Sequence, residues 1–298
     1  MLYQSAAALR AAIDARLKRY AAEHGQAALA RTRKHIVFDR FLARLMSVSC
    51  GEWTLKGGVA LDYRLGDKAR ATRDLDLLFT SNPETLDEEL AKVEAVDLGD
   101  YFSLSIRRTS RLNALTDGSA IRYHLQADLD GRTFEKFIVD IGFDVQQQPA
   151  TEPVWRPGFL EFAGLVSSEF PALAIEIHLA EKLHAYSRPY SGDRQSSRVK
   201  DMVDIVLIGQ SFTLNAATCV SAIHQTFASR NTHPVPDRFA APPANWVSTY
   251  PALAMSISLE PDIAVGHAFA TRFMEPLLVG DVDHAEMWDF SSETWHAK

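Results

Sequence analysis

Two carboxylates lie at the start of an apolar run, in the segment Asp74-Leu75-Asp76. Alternate residues of a β-strand point to the same side of the sheet, so these two side chains are neighbours if the run is a strand. Like charges repel each other at that distance unless a cation lies between them, and Mg²⁺ prefers carboxylate oxygens. The spacing therefore predicts a magnesium-binding pair, with two exposed carboxylates on an edge strand as the alternative.

A pair of glycines precedes these carboxylates, in Lys56-Gly57-Gly58, between a predicted strand and a predicted helix. Glycine lets the backbone approach a phosphate closely, and the N-terminus of the following helix carries the positive end of the helix dipole. An isolated glycine pair is more often an ordinary turn. Here, however, a strand, the glycines and a helix are followed by a strand with two acids. Metal-assisted phosphoryl or nucleotidyl transfer requires this order, because the glycine turn binds a triphosphate and the two acids bind metal ions.

A third carboxylate for such a site is expected at Asp140, which lies inside the apolar run 137–141. An unpaired charge is costly to bury, so this carboxylate needs a partner. The partner is either a metal ion shared with Asp74 and Asp76 or one of the arginines of the chain. Asp144 is the second choice, further along the same predicted strand.

A second group of charged residues lies in a predicted helical region. Lys182 borders the apolar stripe of one helix, so it either covers the edge of the core or directs its ammonium group into a cleft where a triphosphate could bind. On the next helix, Asp201 and Asp204 are three residues apart and share one face. Asp204 lies among apolar residues and needs a partner, and an ion pair of Lys182 with either aspartate is the structural alternative.

The elements that position these groups follow from hydrophobic periodicity. In the first half, helices are predicted at 2–23, 27–46, 59–65 and 85–96, and strands at 53–55, 74–80, 102–107, 120–128 and 136–144. In the second half only helices are predicted, at 172–187, 198–208, 215–229 and 261–277. We therefore expect an α/β (α+β) domain over residues 1–168, which includes the N-terminal helices, and an all-helical domain over residues 169–298.

Composition excludes several classes of protein. The 298 residues are 47% hydrophobic and have a net charge of −7, which is typical of a globular protein and argues against a generic nucleic-acid binder. The first 50 residues nevertheless carry nine Lys or Arg and three Asp or Glu, an excess that could contact a polyanion or only cover solvated helix faces. With two cysteines and no run of about 20 apolar residues, we expect a cytoplasmic protein without membrane contact.

Five motifs in this order resemble those of the AbiEii/AbiGii-type nucleotidyltransferase toxins, the toxin half of AbiE and MenAT toxin–antitoxin systems. They are KGGVAL at 56–61, RATR at 70–73, DLD at 74–76, AEKLHA at 180–185 and RVKDMVD at 198–204. The Pro-rich tail at 232–246 also resembles that family. The resemblance implies a polymerase-β-like nucleotidyltransferase fold in the N-terminal lobe, an all-helical C-terminal lobe, Mg²⁺, and a nucleoside triphosphate as substrate.

The resemblance also implies roles for single residues. The implied metal ligands are Asp74 and Asp76, with Asp140 as the third acid of the wider superfamily. The implied nucleotide contacts are Lys56, Gly57, Gly58, Thr72, Arg73 and Lys182. Lys182 matches the functional lysine of the family, and the late functional aspartate is Asp201 or Asp204, between which the sequence does not decide.

Members of the family add nucleotides to the 3′ end of tRNA acceptor stems, which blocks aminoacylation and translation. The resemblance therefore implies the tRNA acceptor end and a cognate antitoxin as partners, and a role in phage defence. We expect the RNA backbone to contact the basic N-terminal helices and the loop with Lys68, Arg70 and Arg73. The alternatives are nucleotidyl or phosphoryl transfer to a protein side chain or small molecule, and a non-enzymatic binding role in a defence complex.

Overall fold

A computed structural model of the chain describes residues 2–112, 120–144, 149–189 and 198–297. Contacts divide it into two units. The first unit contains Met1–Gly66 and Ala71–Leu173, and the second contains Asp67–Arg70 and Ala174–Lys298. No helix within the described ranges is both long enough and apolar enough to cross a bilayer.

The first unit is built around a seven-stranded sheet. Its elements are α1 (Ala6–Val48), β1 (Trp53–Lys56), α2 (Gly57–Leu65), β2 (Asp74–Phe79), α3 (Leu86–Ala95), β3 (Phe102–Leu112), β4 (Ala120–Leu129), β5 (Arg132–Phe143), β6 (Thr151–Val154) and β7 (Phe170–Leu173). The strand order is β3-β4-β5-β2-β1-β7-β6. Strand β2 runs parallel to β5 and β1 runs parallel to β7, while the other neighbours are antiparallel.

The central strands have one apolar face and one polar face, because buried residues alternate with partly exposed ones along β4 and along much of β5. The apolar face packs on α1, where Phe38 and Phe41 contact Phe137 of β5 with ring centroids 5.6 and 6.0 Å apart. The two helices predicted at 2–23 and 27–46 are present as the two parts of α1, which has a kink between them. Its interruption lies at Gly25, whose φ of 86° is outside the helical range.

A buried carboxylate ties α2 to α1. Asp62 of α2 is fully buried and accepts a hydrogen bond of 2.8 Å from the guanidinium group of Arg31. His35 of the same helix and Arg156 also contact this carboxylate. This cluster fixes the helix that begins at Gly57.

The second unit contains five helices among the described residues. Its elements are α4 (Ile175–Ser187), α5 (Val199–Gly209), β8 (Leu214–Asn215), α6 (Ala216–Arg230), α7 (Tyr250–Met255), α8 (Ile263–Val279), β9 (Glu286–Asp289) and β10 (Thr294–Ala297). The prediction of an all-helical second half is wrong in one respect, because β8, β9 and β10 form a small antiparallel sheet. Trp288 of β9 holds this sheet in place: it is fully buried, and its indole N–H donates to the carbonyl of Gly209 at 2.6 Å.

Most predicted elements of the first half are present, with ends shifted by a few residues. Strands β6 and β7 were not predicted; each has four residues, too few to show a clear period. Because β7 pairs with β1, the contacts divide the chain between Leu173 and Ala174. The separate folding of residues 1–168 and 169–298 as domains stays a prediction.

Candidate active site

Four charged residues form one row across the polar face of the sheet. Arg122 of β4 is the register partner of Asp140 of β5, Asp140 is the partner of Asp76 of β2, and Asp76 is the partner of Lys56 of β1. Register partners on neighbouring strands lie about 5 Å apart and point to the same side. The row therefore places two carboxylates between two cations.

Asp74 and Asp76 share this face, as the sequence predicts. Leu75 between them is fully buried, whereas both aspartates are partly exposed. Residues two apart on a strand have Cα atoms about 6–7 Å apart, so one hard cation could contact both carboxylates. Within the described part of the chain, no group of three or more His, Cys, Asp or Glu side chains is arranged to hold a metal ion. Asp74 and Asp76 stay the predicted ligands of Mg²⁺.

Gly57 is the residue against which Asp76 lies. Its φ of +65° is in the left-handed region that side chains other than glycine rarely adopt. A Cβ added at this position would lie 2.0 Å from Oδ2 of Asp76, inside any possible contact distance. The carboxylate therefore occupies the space of the missing side chain, next to the first turn of α2, where Gly58 is buried.

Asp140 has an arginine partner. The Nε and Nη2 atoms of Arg122 donate to its two carboxylate oxygens at 2.8 and 2.7 Å. The pKa of Arg122 is raised, first by this hydrogen bond and also by the charges of Asp140, Asp74 and Asp76, while burial opposes the shift. The ion pair is the alternative that the sequence left open for Asp140. Asp144 follows the end of β5, where its backbone N–H donates to the carbonyl of Phe79.

The polar residues that precede β2 differ in their exposure to solvent and in their hydrogen-bond partners. The hydroxyl of Thr72 donates weakly to the backbone carbonyl of Asp74, at 3.4 Å, and Arg73 is exposed. Lys68 is also exposed. Arg70, expected to contact RNA, is instead buried within the second unit, so this expectation is wrong for its guanidinium group.

A cluster of four charges lies inside the second unit. Arg70 donates through Nε and Nη2 to the two oxygens of Asp204, both at 2.8 Å. The ammonium group of Lys182 lies 2.8 Å from Oδ2 of Asp204 and 3.3 Å from Oδ1 of Asp201. Two cations thus balance two carboxylates, with Arg198 at the edge of the cluster, 3.9 Å from Oδ2 of Asp201. Lys182 pairs with both aspartates between which the sequence did not decide.

Burial and charge set the protonation states of this cluster. Burial works against the charged form of Asp204, but Lys182 and Arg70 outweigh it and hold the pKa of Asp204 at about 2. Burial likewise works against the charge of Lys182, yet Asp204 and Asp201 raise its pKa above the ordinary value. Lys182 is therefore a permanent cation near neutral pH. Asp204 is fully buried with both oxygens engaged, whereas Asp201 retains 7% exposure.

The structure thus arranges the predicted residues as two groups, one in each unit. Lys56, Gly57, Asp74, Asp76 and Asp140 belong to the first group, and Lys182, Asp201 and Asp204 belong to the second. Sequence reasoning missed Arg122 as a member of the row and Arg70 as the partner of Asp204. The sequence did indicate that Asp204, an aspartate among apolar residues of α5, needs a cation as a partner. Arg70 is one of the cations that meet this need.

Comparisons with known proteins give a family and a fold. A family model described as "Nucleotidyl transferase AbiEii toxin, Type IV TA system" matches residues 40–276. The nucleotidyltransferase toxin MenT4 from Mycobacterium tuberculosis has a TM-score of 0.56, with 18% sequence identity over 90% of each chain, which confirms the predicted fold. JHP933 from Helicobacter pylori has a TM-score of 0.48 and 15% identity, covering 84% of this chain and 94% of that one. No curated protein matches the chain.

The first prediction concerns the contact between Gly57 and Asp76. Gly57→Ala should lower the free energy of unfolding by about 1–2 kcal/mol for the positive φ and by about 1–3 kcal/mol more for the displaced carboxylate. Gly131→Ala is the matched control, because Gly131 has a φ of +64° and nothing within 4 Å of the added Cβ. Urea denaturation measures both losses. Equal losses in the two variants would show that the contact with Asp76 imposes no constraint.

The second prediction concerns Asp204. Because its pKa in the folded state is lowered to about 2, the charged carboxylate stabilises the protein above a pH of about 4 and ceases to do so as the pH falls toward 2. Asp204→Asn should therefore lower the free energy of unfolding at pH 7 by about 3–5 kcal/mol, since it leaves buried cations unpaired. The difference between wild type and variant should shrink between pH 4 and pH 2. Denaturation with the exposed Asp281→Asn as control measures it, and a pH-independent difference would contradict the assignment.

Proposed function

Because the chain belongs to the AbiEii nucleotidyltransferase toxin family, we propose that it transfers a nucleotide from a nucleoside triphosphate to the 3′ end of tRNA. The oxygen of the terminal hydroxyl group attacks the α-phosphorus, and the bond to pyrophosphate breaks. The hydroxyl group that would accept the amino acid is then part of a phosphodiester bond, so the extended tRNA is not aminoacylated and translation stops. The proposed partners are the tRNA acceptor end and a cognate antitoxin, in the cytoplasm and in defence against phage.

The observation that carries this proposal is the position of Asp76 against Gly57. The contact places a carboxylate pair on the sheet directly beside the first turn of a helix, whose N–H groups and dipole favour anions. We assign Asp74 and Asp76 as the ligands of Mg²⁺, and the turn at Gly57 and Gly58 as the contact of the triphosphate. When bound, Mg²⁺ would lower the pKa of the attacking hydroxyl group and polarise the phosphates.

Lys182 supplies a fixed cation in this proposal. An ammonium group has three N–H donors, and Asp201 and Asp204 take two of them. We assign the third to a phosphate oxygen, where it would stabilise the charge that develops in the transition state. Arg70 and Asp204 act as positioning residues for Lys182, and Asp201 is the more accessible of the two aspartates. Lys56, Thr72 and Arg73 are further proposed nucleotide contacts.

Fewer basic residues are available for RNA contacts than the sequence predicted. Several basic residues of α1 are engaged within the protein: Arg31 with Asp62, Arg33 and Lys34 with Glu135, and Arg44 with Asp100. The exposed cations that remain for a phosphate backbone include Lys18 and Arg19 of α1, Lys68 and Arg73. Binding through such contacts weakens steeply as the salt concentration rises.

The third prediction tests the reaction itself. Purified protein is incubated with total tRNA, Mg²⁺ and each α-³²P-labelled nucleoside triphosphate in turn. We expect label on tRNA with at least one nucleotide, and a rate at least about a hundredfold lower in Asp76→Asn, because the variant lacks a ligand of the metal. Asp130→Asn is the matched control, since Asp130 is an aspartate of the same unit that lies in the turn between β4 and β5.

This experiment tests separately whether tRNA is the acceptor and whether the protein transfers nucleotides at all. Label that appears on protein or on a small molecule, and that disappears in Asp76→Asn, would contradict tRNA as the acceptor and keep the nucleotidyltransferase. Absence of label on every acceptor in a whole lysate would contradict the enzymatic proposal and favour a binding role. Equal labelling by wild type and Asp76→Asn would contradict the assigned metal ligands.

A further inference from the structure

Arg122 is a cation at one end of the row, beside Asp140, and it lies in none of the five sequence motifs. It lies on β4 directly opposite Asp140, which in turn lies directly beside Asp76. Its guanidinium group holds both oxygens of Asp140, at 2.8 and 2.7 Å. The side chain of Arg122 is 33% exposed and that of Asp140 is 14% exposed. The pair therefore lies at the surface of the polar face and not in the core.

The charges of this face determine how the pair affects metal binding. Asp74, Asp76 and Asp140 bring three negative charges onto adjacent strands, where Arg122 pairs with Asp140 and Lys56 lies opposite Asp76. A metal ion that used Asp140 as a ligand would have to displace one arm of a bidentate ion pair and would lie next to a fixed positive charge. Both effects weaken metal binding at Asp140.

We propose that Arg122 is a positioning residue that withholds Asp140 from the metal, so that Asp74 and Asp76 alone offer carboxylate ligands to Mg²⁺. This inference rests on the metal pair of the proposed function. Mg²⁺ in enzymes is commonly held by one or two carboxylates together with substrate phosphates. The site therefore binds its metal weakly without nucleotide, and takes it up together with the triphosphate, whose oxygens complete the coordination.

The test is the affinity of the nucleotide-free protein for Mn²⁺, measured by electron paramagnetic resonance of the free ion. In Arg122→Gln, we expect Mn²⁺ to bind at least about tenfold more tightly, because Asp140 becomes available as a third carboxylate ligand. In Arg122→Gln combined with Asp140→Asn, the affinity should lie within about threefold of that of Asp140→Asn alone. Arg107→Gln is the matched control, since Arg107 is an exposed arginine on β3 that faces the same side of the sheet.

Two outcomes would overturn the inference. One is an unchanged or weaker Mn²⁺ affinity in Arg122→Gln. The other is a tenfold gain that persists when Asp140 is Asn, because the gain would then come from the general field and not from the release of Asp140. If Arg122→Gln does not fold, Arg122→Lys replaces it, since an ammonium group cannot hold both carboxylate oxygens. We expect about threefold tighter binding in that variant, and no change there would also overturn the inference.

The same titration separates this inference from the proposed function. Asp76→Asn should abolish the binding of Mn²⁺ at this site if the metal pair is correct. Retained binding in Asp76→Asn would contradict the metal pair itself. Lost binding in Asp76→Asn, together with no gain in Arg122→Gln, would contradict only the role of Arg122.

Discussion

The contact between the carboxylate of Asp76 and the α-carbon of Gly57 is the constraint on which the site depends. The contact joins β2, which carries Asp76, to the start of α2. It leaves no space for a side chain at residue 57. The surrounding structure maintains it from both sides. Register pairing of β1 with β2 fixes Lys56 opposite Asp76, and the buried carboxylate of Asp62 fastens α2 to α1. The proposed metal site and the proposed phosphate site thus share one short stretch of backbone.

The row on the sheet and the cluster around Lys182 differ in their electrostatic character. The row on the sheet is partly exposed, and together with Asp74 it has three carboxylates against the two cations Arg122 and Lys56, so it favours a further cation. The cluster around Lys182 is buried and balanced, with two cations and two carboxylates. We therefore propose that this cluster holds Lys182 in place in its charged form and does not bind a metal. This difference explains why Asp204, although it is an acid in a family motif, is assigned to positioning.

The parts of the site that sequence could predict are those that depend on local pattern. The carboxylate pair follows from the period of one strand, and the glycines follow from their place between a strand and a helix. Arg122 could not be found in this way. A regular hairpin with its turn at Asp130-Gly131 would place Arg122 opposite Val139, but the register shift between Ala127 and Asp128 moves it opposite Asp140. Short strands were missed for a similar reason: the three strands of the small second sheet have two to four residues each and are held by packing around Trp288.

The most direct test of the central claim is a crystal structure with Mn²⁺ and a nucleoside triphosphate analogue that cannot be cleaved, read by anomalous scattering. We predict an anomalous peak that has an oxygen of Asp74 and an oxygen of Asp76 within coordination distance, and a phosphate group against the backbone of Gly57 and Gly58. Asp140 should keep its ion pair with Arg122. A bound analogue whose metal contacts neither Asp74 nor Asp76 would contradict the account.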